Sequence, residues 1–218
     1  MNAARGDLAD IALAGKIFVP HYGEPYSKSV IVDRAGVYHK PSDDAVMDSE
    51  LLRGERFAVL DIAGDWAWGY CVHDHYVGYV RAHKLGVADE AEALPIVKDW
   101  PECALSYLDV PYLWGGRSHH GIDCSGLVQV TLARAGISAP RDADLQMLAL
   151  GQALDAASPV ARGDLIFFPG HVGIMVDTTN MVHATSFHGR VVVEPLDVVA
   201  SRIAERHAQP ILARKRLS

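Results

Sequence analysis

Short apolar stretches separated by polar turns fill the first part of the chain. They are rich in β-branched and aromatic residues, which favour strands, and they cover residues 30–32, 36–38, 57–62, 66–72 and 76–80. In the fourth stretch the large side chains of Trp66, Trp68 and Tyr70 alternate with small residues, a period of two that predicts a half-buried strand. Five such strands within roughly sixty residues predict a small closed or nearly closed β-barrel.

The pattern changes in the second half of the chain, where helical segments precede a run of strands. A helix is predicted over residues 124–135, because Asp123 is a good N-cap and Gly136 stands where a C′ glycine belongs. Asp142 and Gly151 bracket another helix in the same way. Further helices are predicted over residues 99–108 and near 197–203, and strands over 164–168, 171–177, 181–185 and 191–194. Helices followed by an antiparallel meander predict an α+β domain.

The boundary between the two patterns is marked by composition. Residues 87–94 are acidic and rich in alanine, and Pro95 follows them. Such a stretch is typical of an inter-domain linker. We therefore predict an N-terminal extension over residues 1–24, a β domain over 25–86, a linker over 87–98 and an α+β domain over 99–218.

Charge and hydropathy exclude several classes of protein. The chain has 218 residues with 20 Lys+Arg against 27 Asp+Glu, a net charge of −7. This acidic balance argues against nucleic acid as the main partner, since phosphate binding needs clustered basic residues. The basic run at residues 214–216 is expected to be a solvated tail. No stretch approaches the roughly 18 consecutive apolar residues of a membrane span.

The N-terminus and the cysteines bear on the expected compartment. Asp7 and Asp10 stand where a secretory signal would be basic, and Gly15 and Lys16 interrupt the apolar run. The 3 cysteines cannot all pair, which fits a reducing environment. We therefore expect a cytoplasmic location.

Cys124 is the first candidate for chemistry, because the predicted helix places it beside unpaired backbone N–H groups. The positive end of the helix dipole favours thiolate over thiol, and the same N–H groups can hold an oxyanion. A thiolate nucleophile needs an imidazole that moves the proton. His171 opens one predicted strand, and His183 lies in the next, where it could orient the first ring. The alternative is an inert core cysteine, the ordinary role of a lone Cys in an apolar helix.

Several sequence blocks resemble one known family. The run from Tyr112 to Gly116 (YLWGG) precedes the run from Asp123 to Val128 (DCSGLV), and GDL, GHVGI and VHA follow from residues 163, 170 and 182. Together these blocks resemble the NlpC-type family of papain-like cell-wall peptidases over about residues 99–205. The resemblance implies that Cys124 is the nucleophile, His171 the base and His183 the polar third member. It also implies that Tyr112 supports the oxyanion, a role that suits a phenol O–H.

The first half resembles a bacterial SH3-like domain that precedes the peptidase in one branch of this family. The segments ELLRGE from Glu50 and DHYVGYV from residue 74 carry that resemblance. It implies an SH3-like barrel packed on a papain-like α+β domain, with the active site in the groove between them. Relatives in this branch are γ-D-glutamyl-L-diamino acid endopeptidases that recycle murein peptides and require a free N-terminal L-Ala.

The resemblance also implies which residues bind the substrate amine. Glu50 and Tyr76 would reach it from the SH3-like domain, and Asp123 and Ser125 from the peptidase domain. A buried ammonium needs such charged and hydrogen-bonding partners, and the same site would reject a blocked N-terminus. Arg141 is expected to be structural or to help bind a substrate carboxylate.

Some assignments stay open at this stage. Glu55 competes with Glu50, and Tyr79 with Tyr76, for the amine-binding roles. His75 stands where the branch often has glycine, and this would alter the turn that presents Tyr76. His119 and His120 precede the nucleophile without an assigned role.

The expected substrate is a murein tripeptide or a related peptidoglycan fragment. No cofactor, metal, nucleic acid or membrane is expected to take part, and the oligomeric state is not predicted. The alternatives are an amidase or acyltransferase acting on another γ-glutamyl or acyl substrate, and a non-catalytic peptidoglycan-peptide binding module.

Overall fold

The computed structural model describes residues 2–87, 96–155 and 157–217. The chain divides into two compact units, Met1–Ala93 and Leu94–Ser218. Most of the predicted linker, residues 88–95, lies outside the described residues. No helix among the described residues is both long and apolar enough to span a membrane.

The first unit consists almost entirely of β-strands. Its strands are β1 (Leu8–Asp10), β2 (His21–Gly23), β3 (Tyr26–Val30), β4 (Arg34–Tyr38), β5 (Met47–Leu52), β6 (Arg56–Ala63), β7 (Trp66–Cys71), β8 (Val77–Arg81) and β9 (Leu85–Gly86). The last seven form one sheet of order β5-β4-β8-β7-β6-β3-β9. Each of these seven strands contributes to one apolar cluster, which includes Phe57, Leu51 and Val80. The sheet therefore folds around a single core, as the five predicted strands indicated.

The predicted alternation in β7 is present, but its large side chains lie on the outer face. Ala67 and Cys71 belong to the core cluster of the unit, and the rings of Trp66 and Trp68 do not. The rings are nonetheless shielded, because the guanidinium of Arg81 lies 4.3 Å from the Trp66 ring centroid and another guanidinium covers Trp68. Cation–π contact thus removes the aromatic face from solvent. Both tryptophans are buried, with 9% and 4% of their surfaces exposed, but they lie outside the core cluster of the unit.

Two parts of the first unit were not predicted. The strand β5 has a polar sequence, MDSELL, in which few residues favour a strand, yet it pairs with β4 through five residue pairs with one register shift. The short strands β1 and β2 pair with each other in parallel. Asp10, which ends β1, accepts a hydrogen bond from the Tyr70 hydroxyl at 3.0 Å. The segment before residue 24 is therefore tied to the β-sheet by a polar contact.

The second unit combines helices with a six-stranded antiparallel sheet. Its elements are α1 (Trp100–Leu105), β10 (Arg117–Ser118), β11 (Gly121–Ile122), α2 (Cys124–Arg134), α3 (Ala143–Ala149), β12 (Gln152–Ala153), β13 (Leu165–Phe168), β14 (His171–Met175), β15 (Asn180–Thr185), β16 (Arg190–Pro195), α4 (Leu196–Ala204) and β17 (Ala213–Arg216). The order in the sheet is β12-β17-β13-β14-β15-β16. The predicted α+β class and all four predicted helices are confirmed.

The sheet of the second unit is covered on both faces. Leu165 and Phe167 of β13 pack with α1 and α2 in one cluster. The alternate residues Ile166 and Phe168 pack in a second cluster with Val199 of α4. The period of two in the strand therefore supplies two cores.

The basic run at the C-terminus is not a solvated tail, as the composition had suggested. β17 inserts between β12 and β13 as an internal strand. Arg216 donates two hydrogen bonds of 2.7 Å to the buried carboxylate of Asp164. The partner carboxylate lies 52 residues away along the chain, so charge pattern alone could not reveal it.

Candidate active site

Cys124 occupies the first position of α2, as predicted. Asp123 caps the helix, since its carboxylate accepts a hydrogen bond from the Gly126 N–H at 2.7 Å. The backbone N–H groups of Ser125 and Val172 are directed at the Cys124 sulfur. Val172 directly follows His171, so the strand that begins at the candidate base passes the sulfur of the candidate nucleophile.

The thiol of Cys124 is not the low-pKa group that its position in the helix predicted. Burial, with a smaller contribution from the neighbouring Asp123 carboxylate, raises its pKa to about 11, and the N–H groups of Val172 and Ser125 only partly offset this effect. Burial prevails because a desolvated thiolate loses more hydration than two N–H groups restore. The resting side chain is therefore a thiol, and a base must remove its proton.

The two candidate histidines meet in the structure. His171 begins β14 and His183 lies in β15, and the connecting turn is closed by the Asp177 carboxylate, which accepts the N–H groups of Thr179 and Asn180. His171 Nε2 lies 2.7 Å from His183 Nδ1. Burial, with a smaller contribution from His183, lowers the pKa of His171 to about 3. A neutral ring of this kind can accept a proton.

The contact between the histidines depends on the absence of a side chain at Gly173. A Cβ there would lie 1.8 Å from Met181 Cε and 3.3 Å from His183 Cβ. Glycine therefore leaves the space that the two neighbouring side chains of β15 occupy.

The phenol of Tyr112 lies close enough to Cys124 for the two groups to interact electrostatically. Burial, with smaller contributions from Cys124 and Asp123, raises the pKa of its phenol to about 12. The backbone N–H of Tyr112 donates to Gly189 O at 2.8 Å, which fixes the loop that carries the ring. The phenol remains protonated at neutral pH and can donate a hydrogen bond to an oxyanion.

Asp123, Ser125 and Arg141 form a buried polar group behind the nucleophile. Arg141 donates to the two carboxylate oxygens of Asp123 at 2.9 and 2.5 Å and to Ser125 Oγ at 2.9 Å. The N–H groups of Gly115 and Gly126 donate to the same carboxylate at 2.7 Å each. Arg141 thus has a structural role, and that it also helps to bind a substrate carboxylate stays a prediction. That Asp123 and Ser125 bind a substrate amine stays a prediction.

Glu50 and Tyr76 belong to the first unit. Glu50 lies in β5 with 1% of its surface exposed, and Arg34 Nη1 donates to its carboxylate at 3.1 Å. Tyr76 packs against the core cluster of that unit. The preceding residue, His75, has a φ of 58°, the left-handed conformation in which glycine is favoured. The amine-binding roles of Glu50 and Tyr76 stay predictions.

Glu55, the alternative to Glu50 in the amine-binding role, accepts a hydrogen bond from the backbone. Glu55 Oε2 accepts the N–H of Leu52 at 2.8 Å and so closes the turn between β5 and β6. Of the histidines without a role, His119 stacks on Tyr107 with ring centroids 4.0 Å apart. This contact gives His119 a packing function.

Sequence reasoning missed an acidic residue behind the histidine pair. Glu194 Oε2 lies 2.9 Å from His183 Nε2, and Arg202 of α4 forms an ion pair with the same carboxylate. His183 and Arg202 also line a cavity of about 370 Å³, together with Tyr112 and Phe187. A single glutamate at the end of a strand carries no signal that could have identified it.

Comparisons with known proteins agree with these features. Residues 109–208 match the NlpC/P60 family, and residues 37–85 match the bacterial dipeptidyl-peptidase SH3 domain. Dipeptidyl-peptidase 6 of Lysinibacillus sphaericus is 40% identical over 126 residues, which cover 56% of this chain and 45% of that protein. The γ-D-glutamyl-L-lysine dipeptidyl-peptidase of Bacillus cereus is 32% identical over 111 residues, which cover 47% of this chain and 33% of that protein.

Solved structures include an NlpC/P60 family protein from Bacillus cereus. It is 23% identical, with a TM-score of 0.49, and the match covers 89% of this chain and 63% of that one. The chain spans less than half the length of the two curated relatives that it matches.

A thiol at a helix N-terminus and a pair of hydrogen-bonded histidines, in an α+β unit that follows a small β unit, are the features of a papain-like domain preceded by an SH3-like domain. Residues 109–208 form a domain of the NlpC/P60 family, and a bacterial SH3 domain of the dipeptidyl-peptidase type precedes it. The family expected from the sequence motifs, a family of cell-wall cysteine peptidases, is confirmed.

Proposed function

We propose that the chain is a cysteine endopeptidase that hydrolyses the γ-D-glutamyl–diamino acid bond of peptidoglycan peptides. The observation that carries this proposal is the juxtaposition of the Cys124 thiol with the strand that begins at His171, whose ring is hydrogen-bonded to His183. Relatives named for hydrolysis of a γ-D-glutamyl-L-lysine bond support the choice of bond.

The proposed reaction begins with a proton transfer. The Cys124 thiol gives its proton to His171 as the sulfur attacks the carbonyl carbon of the γ-D-glutamyl amide. Because His183 engages Nε2 of His171, Nδ1 is the nitrogen left to receive that proton. A neutral thiol and a neutral imidazole form the reactive pair, in keeping with the raised pKa of Cys124 and the lowered pKa of His171.

The intermediate and the second half of the reaction follow from the same groups. The oxyanion would be held by backbone N–H groups at the start of α2 and by the Tyr112 hydroxyl. The His171 imidazolium then protonates the departing amine, which leaves a thioester on Cys124. His171 next takes a proton from water, the hydroxide attacks the thioester, and the free γ-carboxyl product leaves as the thiol is restored.

We further propose that the substrate carries a free N-terminal L-Ala. Glu50 and Tyr76 in the first unit and Asp123 and Ser125 in the second are the proposed amine-binding residues. Asp123 already balances the charge of Arg141, so an ammonium would share this carboxylate with a buried guanidinium. Glu50 is paired in the same way with Arg34, so an ammonium would compete with a guanidinium at either carboxylate.

The test is mass spectrometry of the full chain incubated with L-Ala-γ-D-Glu-meso-diaminopimelate, both free and N-acetylated. Release of L-Ala-D-Glu from the free peptide alone supports the bond and the amine requirement together. Cleavage of both peptides retains the peptidase and rejects the amine-binding roles.

The matched control is Cys124→Ser, compared with Cys71→Ser and Cys103→Ser. Loss of turnover only in the Cys124 variant supports its role as the nucleophile. Turnover that survives Cys124→Ser would refute the proposal. Absence of cleavage by the unaltered chain would refute the assigned substrate.

A further inference from the structure

A chain of hydrogen-bonding side chains extends behind His171 and ends at a carboxylate. His171 Nε2 lies 2.7 Å from His183 Nδ1, and His183 Nε2 lies 2.9 Å from Glu194 Oε2. His183 is 1% exposed and the Glu194 side chain 13% exposed, so the chain is largely removed from water. We propose that Glu194 is a positioning residue that fixes, through His183, which nitrogen of His171 carries the proton.

Hydrogen-bond valence dictates where each proton lies. An ionised carboxylate can only accept, so His183 Nε2 must carry the hydrogen that points at Glu194. A neutral imidazole has one N–H, so His183 Nδ1 is then an acceptor. His171 Nε2 must therefore donate, and this leaves a lone pair on His171 Nδ1. That is the form in which His171 can receive the thiol proton of Cys124.

The same count of donors and acceptors disfavours the opposite tautomers of the two histidines. If His183 donated from Nδ1 to His171, its Nε2 would present a lone pair to the Glu194 carboxylate. Two acceptors 2.9 Å apart in a buried site repel each other and leave each without a donor. His171 would then carry its hydrogen on Nδ1 and could not act as the base.

The arrangement requires that Glu194 stay ionised, and its surroundings provide for this. Arg202 of α4 forms an ion pair with it, and His188 Nε2 lies 3.1 Å from its Oε1. Partial burial alone would raise the pKa of Glu194, but hydrogen bonds from Arg202, His188 and His183 outweigh burial and hold it at about 2. Burial lowers the pKa of His183, so its ring is neutral. The position of its single hydrogen therefore decides which side chain donates in each of the two hydrogen bonds.

Strand register places Glu194 at this point. In the pairing of β15 with β16, Glu194 lies opposite Met181 and Val192 lies opposite His183. Side chains two residues apart on a strand share a face, so Glu194 and His183 project from the same side of the sheet. Arg202 approaches from α4 on that side, since α4 packs there against Met181.

A purely structural role for Glu194 makes a different prediction. The carboxylate would then serve only to tie β16 to α4 through Arg202, and removal of either partner would have equal consequences. The positioning role, by contrast, depends on Glu194 alone. The inference rests on the proposed peptidase function, but the position of a proton can be measured without turnover.

The experiment compares Glu194→Gln with Arg202→Met as the matched control. Protein labelled with ¹⁵N in its histidine rings is studied by long-range ¹⁵N–¹H correlation NMR. The signals of His171 and His183 are assigned with the His171→Asn and His183→Asn variants. In the unaltered chain both rings should carry their hydrogen on Nε2. Glu194→Gln should show a mixture that includes Nδ1–H on His171, because an amide can donate as well as accept.

Kinetics on the cleavable peptide give the second readout. Glu194→Gln should lower kcat about 10- to 100-fold with little change in KM. Arg202→Met breaks the tie to α4, but His188 and His183 still donate to the Glu194 carboxylate and keep it ionised. This variant should therefore retain the tautomers of the unaltered chain.

Three results would overturn the inference. They are an Nδ1 hydrogen on His171 in the unaltered chain, unchanged tautomers in Glu194→Gln, and an altered tautomer with unchanged kcat. The first of these can be measured even if Glu194→Gln does not fold. If the unaltered chain fails to cleave the peptide, the proposed substrate is rejected, while the NMR result still decides the role of Glu194.

Discussion

Removal of the buried guanidinium behind the nucleophile should strongly destabilise the second unit. Arg141 is 2% exposed and donates to both oxygens of Asp123 and to Ser125 Oγ. Arg141→Met preserves much of the volume but leaves the Asp123 carboxylate, 5% exposed, without a counter-charge. Loss of one partner from a buried ion pair costs about 3–5 kcal/mol.

The contacts that survive place the cost at the lower end of this range. Asp123 keeps the N–H groups of Gly115 and Gly126, each at 2.7 Å, so we expect a loss of about 3 kcal/mol. Arg141→Lys should cost less, since it keeps the charge but cannot form the bidentate contact. Asp123→Asn combined with Arg141→Met should cost less than the sum of the two single substitutions by about 2 kcal/mol.

Hydrogen exchange followed by mass spectrometry suits this test because it reports on segments of the chain separately. Peptides from α2 should lose protection in Arg141→Met by about 3 kcal/mol. Peptides from β6 and β7 in the first unit serve as the internal control and should be unaffected. A change below about 1 kcal/mol in α2, or strict additivity in the double variant, would refute the argument that the pair is held by mutual compensation.

Two further predictions concern the proposed catalytic groups. Alkylation of Cys124 by iodoacetamide should rise about tenfold per pH unit between pH 7 and 9, because its pKa lies near 11 and the thiolate fraction grows tenfold per unit below that value; a rate that is flat from pH 5 to 8 would indicate a preformed thiolate. Tyr112→Phe should lower kcat by about 10²-fold with little effect on KM, since it removes one donor to the oxyanion. Unchanged kcat in that variant would exclude Tyr112 from the oxyanion site.

Local sequence predicted the helices around the nucleophile well because their signals are local. Asp123 caps α2 and Gly136 follows it with a φ of 75°. These features depend on residues within a few positions of each other, and capping and left-handed termination are the same in any tertiary context. The meeting of His171 with His183 was also predictable, because a short turn joins two adjacent strands.

Features that depend on long-range pairing were missed or misjudged. The basic residues of β17 are internal to the sheet because Arg216 meets Asp164 across 52 residues. Trp66 lies on the outer face of β7, where the guanidinium of Arg81 covers its ring. A low pKa was expected for the Cys124 thiol because of the helix dipole. Burial raises this pKa instead, and burial is determined only by how distant segments pack.

The sequence by itself determined the family, the fold class and the candidate groups Cys124, His171 and His183. Motif order, caps and strand periods are written in consecutive residues, and they need no knowledge of what packs against them. Tertiary structure alone decided the protonation of these groups and the presence of Glu194 behind them. Burial and hydrogen-bond partners set a proton's position, and both arise only when distant segments are brought together.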